Sequence, residues 1–347
     1  MAHKVVLIPG DGIGPEITEA ALDVLAATGV PITWVLEEEA GMRSIEAGGE
    51  PLPEKVINSI KTHKVALKGP ITTPVGGGFK SVNVSLRQAL DLYANVRPSY
   101  SLPGIKTAFQ HVDMVLFREN TEGLYIGEEK YDAETGVAEA IARVTKKGSE
   151  RIIRYAFEYA KFNERGKVSL VHKANILKKT SGLFLELGRE IAKEYPEIRF
   201  EEVIVDNMCM QMVTNPERYD CIVTTNLFGD ILSDLAAGLV GGLGIVPGAN
   251  IGREYAVFES VHGSAPDIAG QNKANPTALI RSAEMMLRHL GEHFAADALR
   301  KSLFEIFRRG EFRTADLGGS TPTNEFGKRV AEKVAKNIAK PRWRTQV

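Results

Sequence analysis

Cysteine is nearly absent from this chain of 347 residues, which contains only Cys209 and Cys221. Two cysteines cannot build a disulfide-rich scaffold or a multi-cysteine zinc site. Such scarcity is typical of proteins that work in a reducing compartment, and we therefore expect a cytoplasmic location.

Excess charge of one sign and long apolar runs are also lacking. The chain has 43 Lys and Arg against 44 Asp and Glu, so its net charge of −1 gives no reason to expect a nucleic-acid partner or an acidic membrane partner. No apolar run approaches the ~20 residues of a membrane-spanning helix. The apolar run after Lys4 is short and leads into a turn, so no signal peptide is predicted. The default expectation is a cytoplasmic enzyme.

Short β-branched runs alternate with helical patterns along most of the chain. Strand patterns occur at residues 5–8, 32–37, 65–70, 114–117, 167–171 and 221–225. This alternation predicts an α/β fold with a parallel sheet and helices on both faces. Gly10, Gly12 and Gly14 follow the first strand in a G-x-G-x-G spacing, which differs from the G-x-G-x-x-G of a Rossmann turn. We expect a close approach to the backbone there, but not a Rossmann fold.

Polar residues follow several of the predicted strands. Working groups in parallel sheets collect at the carboxyl ends of strands. This criterion selects a set of strand-end residues that we expect to lie together: Lys68, Arg118, Lys173, Asp206, Asp230, Asp234 and the turn at 259–262.

Asp230 and Asp234 lie in a helical pattern after the strand at 221–225. They are four residues apart and share one helix face, where like charges repel by roughly 0.2–0.5 kcal/mol. Alone, they indicate a solvated acidic face near a helix start. Together with Asp206 they form a set of three carboxylates, whose oxygens suit Mg²⁺ or Mn²⁺ rather than zinc.

Three arginines accompany the acidic residues. Arg87 and Arg97 flank a mildly apolar segment, and Arg118 ends a strand. Guanidinium groups bind carboxylates and phosphates in a bidentate manner. The three arginines and three aspartates together imply a small polyanion that chelates a metal.

Four motifs resemble those of the metal-dependent β-decarboxylating 2-hydroxyacid dehydrogenases, the family of isocitrate, isopropylmalate and homoisocitrate dehydrogenases. They are LDLYANVRP at 90–98, RENTEG at 118–123, HKAN at 172–175 and HGSAP at 262–266. The resemblance implies an isopropylmalate dehydrogenase-like α/β fold, not a Rossmann fold, with two domains around a mixed or parallel sheet. Residues 1–94 and 245–347 would form a discontinuous, cofactor-binding large domain, and residues 95–244 a small domain for dimerisation and substrate binding, with a protruding arm at about 126–148.

The resemblance also implies a role for each of the polar residues. Arg87, Arg97 and Arg118 would hold the carboxylates of the substrate. Asp230 and Asp234 would bind Mg²⁺ or Mn²⁺, with Asp206 reaching in from the second subunit of a homodimer. Tyr125 and Lys173 would take part in proton transfer, and the two residues of one site would come from opposite subunits. Tyr125 would be the general acid, and Lys173 and Asp206 would lie near the base.

The identity of the cofactor follows from the loop after residue 259. Asp267 would accept hydrogen bonds from the adenosine ribose and repel a 2′-phosphate, whereas NADP-dependent relatives carry Lys-Tyr at Asp267 and Ile268, so NAD is predicted. The cofactor-binding residues implied by the resemblance are Ile13, Lys68, Thr73, Asn207, Glu259, His262, Gly263, Ser264, Ala265, Pro266, Asp267, Ile268 and Asn275.

Residues 81–87 discriminate between the possible substrates. In isocitrate enzymes a serine and an asparagine two residues apart meet the distal carboxylate, and Ser81 and Asn83 match that pattern. We therefore expect NAD-dependent oxidative decarboxylation of isocitrate to 2-oxoglutarate and CO₂. Homoisocitrate and 3-isopropylmalate are the alternative substrates. A non-catalytic regulatory subunit is disfavoured because Tyr125, Lys173 and the aspartates are all present.

Overall fold

The computed structural model describes residues 2–73 and 81–339. The strands are β1 (His3–Ile8), β2 (Ile32–Leu36), β3 (Val65–Lys68), β4 (Ala94–Tyr100), β5 (Asp113–Glu119), β6 (Glu129–Asp132), β7 (Val137–Ala140), β8 (Lys167–His172), β9 (Arg199–Ile204), β10 (Cys221–Thr224), β11 (Pro247–Ile251) and β12 (Ala256–Ser260). The α-helices are α1 (Gly14–Ala26), α2 (Met42–Glu46), α3 (Glu54–His63), α4 (Val82–Ala89), α5 (Lys146–Phe162), α6 (Thr180–Ala192), α7 (Val205–Thr214), α8 (Asn226–Val240), α9 (Thr277–His289), α10 (His293–Arg309) and α11 (Thr323–Ile338).

The main sheet has ten strands in the order β2-β1-β3-β12-β11-β4-β5-β10-β8-β9. The four strands at one end are parallel to one another, and so are the four at the other end. Antiparallel pairing of β12 with β11, of β11 with β4 and of β4 with β5 joins them. The prediction of an α/β fold around a mixed sheet is confirmed.

Three antiparallel pairings lie between the two parallel groups, so these groups run in opposite directions. The carboxyl ends of β3 and β12 lie at one edge of the sheet, and those of β5, β10, β8 and β9 at the other edge. The expectation that all strand-end residues gather at one edge is therefore wrong. The alternation of strand and helix patterns in the sequence did not indicate that the strands at the centre of the sheet are antiparallel.

The glycine turn between β1 and α1 is packed against the chain's own backbone. A Cβ on Gly10 would lie 2.1 Å from the carbonyl oxygen of Pro70, and a Cβ on Gly12 would lie 2.0 Å from that of Ser264. Both glycines have positive φ, and the Ile13 amide donates a hydrogen bond to the Ser264 carbonyl. Asp11 accepts from the amides of Met42 and Thr72. The close approach predicted at this turn comes from these neighbouring loops.

The predicted arm is an exposed hairpin. β6 and β7 pair only with each other within the described residues, and every residue of both strands is exposed. Helix α5 follows the arm, and Thr145 caps it by accepting a hydrogen bond from the Gly148 amide. None of the described helices is long and apolar enough to cross a bilayer.

Candidate functional site

Polar side chains form the floor of a cleft on one face of the central strands. Asn250 of β11 lies opposite Asn95 of β4, and Asn95 lies opposite Arg118 of β5. Side chains of directly opposed residues, and of residues two apart on one strand, point to the same face of a sheet. Arg97, two residues after Asn95, therefore lies on this face, and Glu259 of β12 lies beside Asn250. Helices α4 and α8 carry further polar residues over this face.

A buried carboxylate anchors the side of the cleft formed by β3, β12 and α4. Glu259 accepts from Lys68 at 2.7 Å and from Arg87 at 3.1 Å. All three side chains are buried. Although burial opposes ionisation, Lys68 and Arg87 hold the pKa of Glu259 well below its usual range. Arg87 is thereby oriented, while its Nε has no partner among the described residues.

Arg118 is fixed from two directions under the start of α8. Its Nε and Nη2 both donate to Oδ1 of Asn226, at 3.0 and 2.8 Å, and its Nη1 binds Asp230. Burial and the neighbouring arginines lower the pKa of Arg118 to about 10. A Cβ on Gly229 would lie 2.5 Å from Cγ of Arg118, so glycine is required where the helix crosses this side chain.

Arg97 connects the sheet floor to the two predicted metal ligands. It donates to Ser233, and it lies 3.3 Å from Oδ1 of Asp234 and 3.6 Å from Oδ1 of Asp230. Burial raises the pKa of Asp234. The pKa of Asp230 is lowered despite burial, chiefly because Arg118 faces it. The two carboxylates are one helical turn apart and point to the arginine side of the cleft.

Tyr125 lies beside this charged group on a short 3₁₀ turn. Its hydroxyl donates to Asp230, and the guanidinium of Arg118 lies 4.9 Å from its ring centre. Burial and the hydrogen bond to Asp230 raise the pKa of Tyr125. Its proton is therefore retained at neutral pH.

Lys173 and Asp206 form a separate pair. Lys173 follows β8, Asp206 lies in the first turn of α7, and their Nζ and Oδ1 atoms are 2.5 Å apart. The hydrogen bond from Lys173 lowers the pKa of Asp206. Asn207, predicted to bind cofactor, lies next to Asp206 on the exposed side of α7. The structure thus brings Tyr125, Asp230 and Asp234 together, but in the described part of one chain no contact joins them to Lys173 or Asp206.

The donor chemistry of Asp230 and Asp234 fits a hard divalent cation. The two carboxylates supply oxygens from adjacent turns of α8, and oxygen ligands are those that Mg²⁺ and Mn²⁺ favour. Within residues 2–73 and 81–339 no three acidic, histidine or cysteine side chains are gathered to hold a metal.

A cavity of about 440 Å³ opens beside Arg87 and Arg97. Oδ1 of Asn83 is buried there without a hydrogen-bond partner in the described residues, and Nε2 of His262 is in the same condition. Burial lowers the pKa of His262, which keeps the ring neutral. Predicted substrate and cofactor residues share the lining of the cavity: Lys68, Thr73, Asn83, Arg87, Arg97, Glu259, His262, Gly263, Ser264 and Pro266.

The remaining predicted ligand-binding residues lie around this cavity. Ala265, Asp267 and Ile268 continue the loop from Ser264, and Asp267 is exposed. Ser81 immediately precedes α4, with its hydroxyl 3.2 Å from that of Thr73. Ile13 is buried in the glycine turn.

Asn275 is engaged within the protein. It is buried, its amide donates to Asp316, and its carbonyl accepts from the Thr277 backbone at the start of α9. The direct cofactor contact predicted for its side chain would need these bonds to be shared.

Several polar residues of the site were missed in the sequence. Asn226 holds Arg118, Ser233 holds Arg97, and Asn250 bonds to Glu259, Asn95 and Asn120. Asparagine is uncommon in strand interiors. Asn95 and Asn250 in otherwise apolar strand patterns were the available signal, but only the register brings them together.

Comparison with known proteins agrees with this geometry. The chain matches the family described as isocitrate/isopropylmalate dehydrogenase over residues 4–330. It resembles the crystal structure of isocitrate dehydrogenase from Methylococcus capsulatus, with 57% identity and a TM-score of 0.93, over 96% of this chain and 99% of the other.

Two curated relatives show the range of the similarity. The probable isocitrate dehydrogenase [NAD] subunit alpha, mitochondrial, of Drosophila melanogaster is 50% identical over 95% of this chain and 87% of its own length. The chloroplastic 3-isopropylmalate dehydrogenase of Solanum tuberosum is 49% identical over 89% of this chain and 86% of its own. The extent of these matches shows that this chain belongs to the isocitrate/isopropylmalate dehydrogenase family.

Proposed function

We propose that this chain catalyses the metal-dependent oxidative decarboxylation of isocitrate to 2-oxoglutarate and CO₂, with reduction of NAD. One observation carries the proposal: Asn83 and Arg87 of α4 line one cavity with Arg97, and Arg118 lies on the same sheet face as Arg97. Three buried guanidinium groups match a ligand with three carboxylates. Relatives that are named NAD isocitrate dehydrogenases support the same choice.

The reaction requires several distinct tasks of the protein. A hydride leaves C2 of isocitrate for the nicotinamide, the C2 hydroxyl loses its proton, the carboxylate at C3 departs as CO₂, and C3 takes up a proton. Arg87, Arg97 and Arg118 would bind the three carboxylates and fix the orientation of C2 and C3. Each is held by a buried hydrogen bond, so little reorganisation is needed on binding.

Tyr125 is the proposed acid that protonates C3. Its raised pKa keeps the phenol protonated across the neutral range, and Asp230 orients the hydroxyl. The Lys173–Asp206 pair of the second copy would accept the hydroxyl proton. Within one chain Lys173 donates a 2.5 Å hydrogen bond to Asp206, which holds the two side chains together.

The proposed metal is Mg²⁺ or Mn²⁺, held by Asp230 and Asp234 with Asp206 of the second copy. When bound, such an ion lowers the pKa of a coordinated hydroxyl and stabilises the negative charge that develops during decarboxylation. In this chain Asp230 and Asp234 face Arg97 and Arg118. A bound cation would therefore lie beside the two aspartates, and the carboxylates of the substrate beside the two arginines.

A homodimer with shared sites is part of the proposal. Large apolar side chains are exposed on the arm, at Tyr131, Val137 and Ile141, and on helices α7 and α8, at Met210, Val213 and Ile231. Exposed apolar side chains of this size support the proposal that another chain contacts the arm, α7 and α8. The Drosophila relative is named a subunit alpha, so a heteromer is the alternative assembly. Light scattering of the purified chain distinguishes the two, since only a homodimer forms without another gene product.

The direct test of the proposal is NADH formation, followed spectrophotometrically. Isocitrate, homoisocitrate and 3-isopropylmalate are compared at equal concentration, each with Mg²⁺, with Mn²⁺ and with a chelator. The proposal expects turnover of isocitrate only when metal is present. A higher kcat/KM on 3-isopropylmalate would replace isocitrate as the substrate, and a chain inactive on all three would be assigned to the regulatory class. Cytoplasmic location stays a prediction, which fractionation of the source cells would test.

The exposed carboxylate of Asp267 predicts the cofactor preference. In the double variant D267K/I268Y, a lysine would replace the acid that repels a 2′-phosphate. We expect kcat/KM for NAD to fall and that for NADP to rise, which changes their ratio by about 100-fold, since loss of a repulsive and gain of an attractive charge contact contribute in the same direction.

The matched control is D23K, which makes the same charge change on an exposed position of α1. This variant should leave the ratio of NAD to NADP efficiency unchanged. An unaltered ratio in D267K/I268Y as well would remove Asp267 from the cofactor site.

A further inference from the structure

Asn250 occupies the middle of the cleft floor and uses its whole amide group. It is 1% exposed. Its oxygen accepts from the amides of Asn95 and Asn120, both at 2.9 Å. Its nitrogen donates to Oε1 of Glu259 at 2.7 Å and to the Val257 carbonyl at 3.4 Å. The four bonds are all that an amide side chain can make.

These bonds join the two sides of the cleft. Glu259 is the carboxylate that orients Arg87 and Lys68, and it lies on β12. Asn95 lies two residues from Arg97 on β4, while Asn120 follows the end of β5, which carries Arg118. Asn250 on β11 is therefore the side chain that connects the arginine on α4 with the strands that carry the other two arginines.

We propose that Asn250 is a positioning residue that sets the spacing of Arg87 relative to Arg97 and Arg118, and thereby the fit of the cleft to a tricarboxylate. This inference rests on the proposed function. Asn250 itself is buried and is not among the residues that line the cavity. It acts through Glu259, since a carboxylate held by three donors has one orientation and so gives Arg87 one orientation.

The role requires both halves of the amide. The oxygen must accept from two donors while the nitrogen donates to a carboxylate. An ionised carboxylate of the same shape keeps the first function but replaces the second by repulsion against Glu259. A neutral carboxylic acid restores it, because its hydroxyl can donate to Glu259 while its carbonyl accepts from Asn95 and Asn120.

In the variant N250D, the lost hydrogen bond to Glu259 is therefore expected to return at low pH. A carboxyl placed next to the Glu259 carboxylate shares a proton with it at low pH, because two close like charges disfavour double ionisation. The other charged groups that face this position are Lys68 and Arg87, both bound to Glu259, and Arg97 and Arg118 on the neighbouring strands. In the wild-type protein Glu259 stays ionised throughout the assay range, since its pKa is held low.

The experiment compares N250D with the wild-type enzyme at pH 8.5 and pH 6, with isocitrate turnover and with calorimetric titration by citrate. Citrate is a tricarboxylate that this reaction cannot oxidise, so it reports the arginine geometry without turnover. We expect KM for isocitrate and Kd for citrate to rise about tenfold or more at pH 8.5 relative to the wild type, with a smaller change in kcat. At pH 6 this relative loss should shrink to about a third or less.

The variant N337D is the control for a merely structural effect. Asn337 is a buried asparagine on α11 whose amide bonds to Ser302. N337D should lower the unfolding temperature without a pH-dependent change in KM or Kd. The inference is overturned if N250D binds citrate as tightly as the wild type at both pH values, or if its loss is equal at both, because a packing defect has no acid rescue. Citrate binding decides the inference even if wild-type turnover of isocitrate, and with it the proposed function, fails.

Discussion

Replacing Arg118 by glutamine is expected to lower kcat/KM for isocitrate about 100- to 1,000-fold, the range reached when one partner of a buried charge pair is removed. Arg118 is 1% exposed, and it fixes Asn226 and Asp230 in addition to its proposed substrate contact. Glutamine can replace one of its hydrogen bonds but not the charge or the fork. Initial rates of NADH formation over a range of isocitrate concentrations measure the loss.

Two further variants separate catalysis from folding. R118K keeps the charge and loses the bidentate geometry, so we expect it to lie between the wild type and R118Q. R154Q removes a partly exposed arginine that forms a bidentate pair with Glu194, and it should leave kcat/KM unchanged. If R118Q kept kcat/KM within about threefold of the wild type, Arg118 would not bind the substrate.

A heterodimer made of one R118Q chain and one K173M chain is expected to recover about half of the wild-type activity, although each variant alone is nearly inactive. Under the shared-site proposal, one of its two sites combines the intact Arg118 group of the K173M chain with the intact Lys173 of the R118Q chain. The other site carries both defects. Co-expression with two affinity tags, sequential purification and NADH assay measure the recovery.

The structural basis is the separation of the two groups within one chain. Arg118, Tyr125 and Asp230 contact one another, whereas Lys173 bonds to Asp206, and no contact among the described residues joins the two groups. A heterodimer of R118Q with Y125F is the control, because both defects lie in the same group. Its two sites would each be damaged, and no recovery is expected. A heterodimer of R118Q with K173M that remained inactive would place all catalytic groups in one chain.

Motifs in the sequence were sufficient to predict the charged groups of the site. Arg97, Arg118 and Asp230 each lie in a short segment from which a charged ligand-binding role was predicted. The structure brings these three side chains together. The α/β class followed from the alternation of strands and helices. A local sequence pattern is enough in both cases, because it depends on residue type and on the periodicity of burial, both of which can be read from a short segment.

The arrangement of the site could not be predicted in the same way. The direction of a strand is not encoded in its periodicity, so nothing in β4 or β11 indicated that they run antiparallel to their neighbours. The expected gathering at one sheet edge was wrong for this reason, and the cleft floor was missed. Asn250 became a candidate only through pairing with Asn95, 155 residues away. Such long-range register depends on the whole sheet.

The glycine turn and the elements around it have a consequence for synthesis on the ribosome. β1 is made first and can pair early with β2 and β3, but other partners of this region are made late: β3 also pairs with β12, α1 packs against α11, and the backbone of Gly12 is covered by Ser264. The free side of β3 and the face of α1 that packs against α11 therefore stay uncovered until the carboxyl-terminal third of the chain has left the ribosome tunnel. The intervening strands β5, β8, β9 and β10 can pair before then. A growing chain of this kind is expected to depend on chaperones that bind its amino-terminal strands.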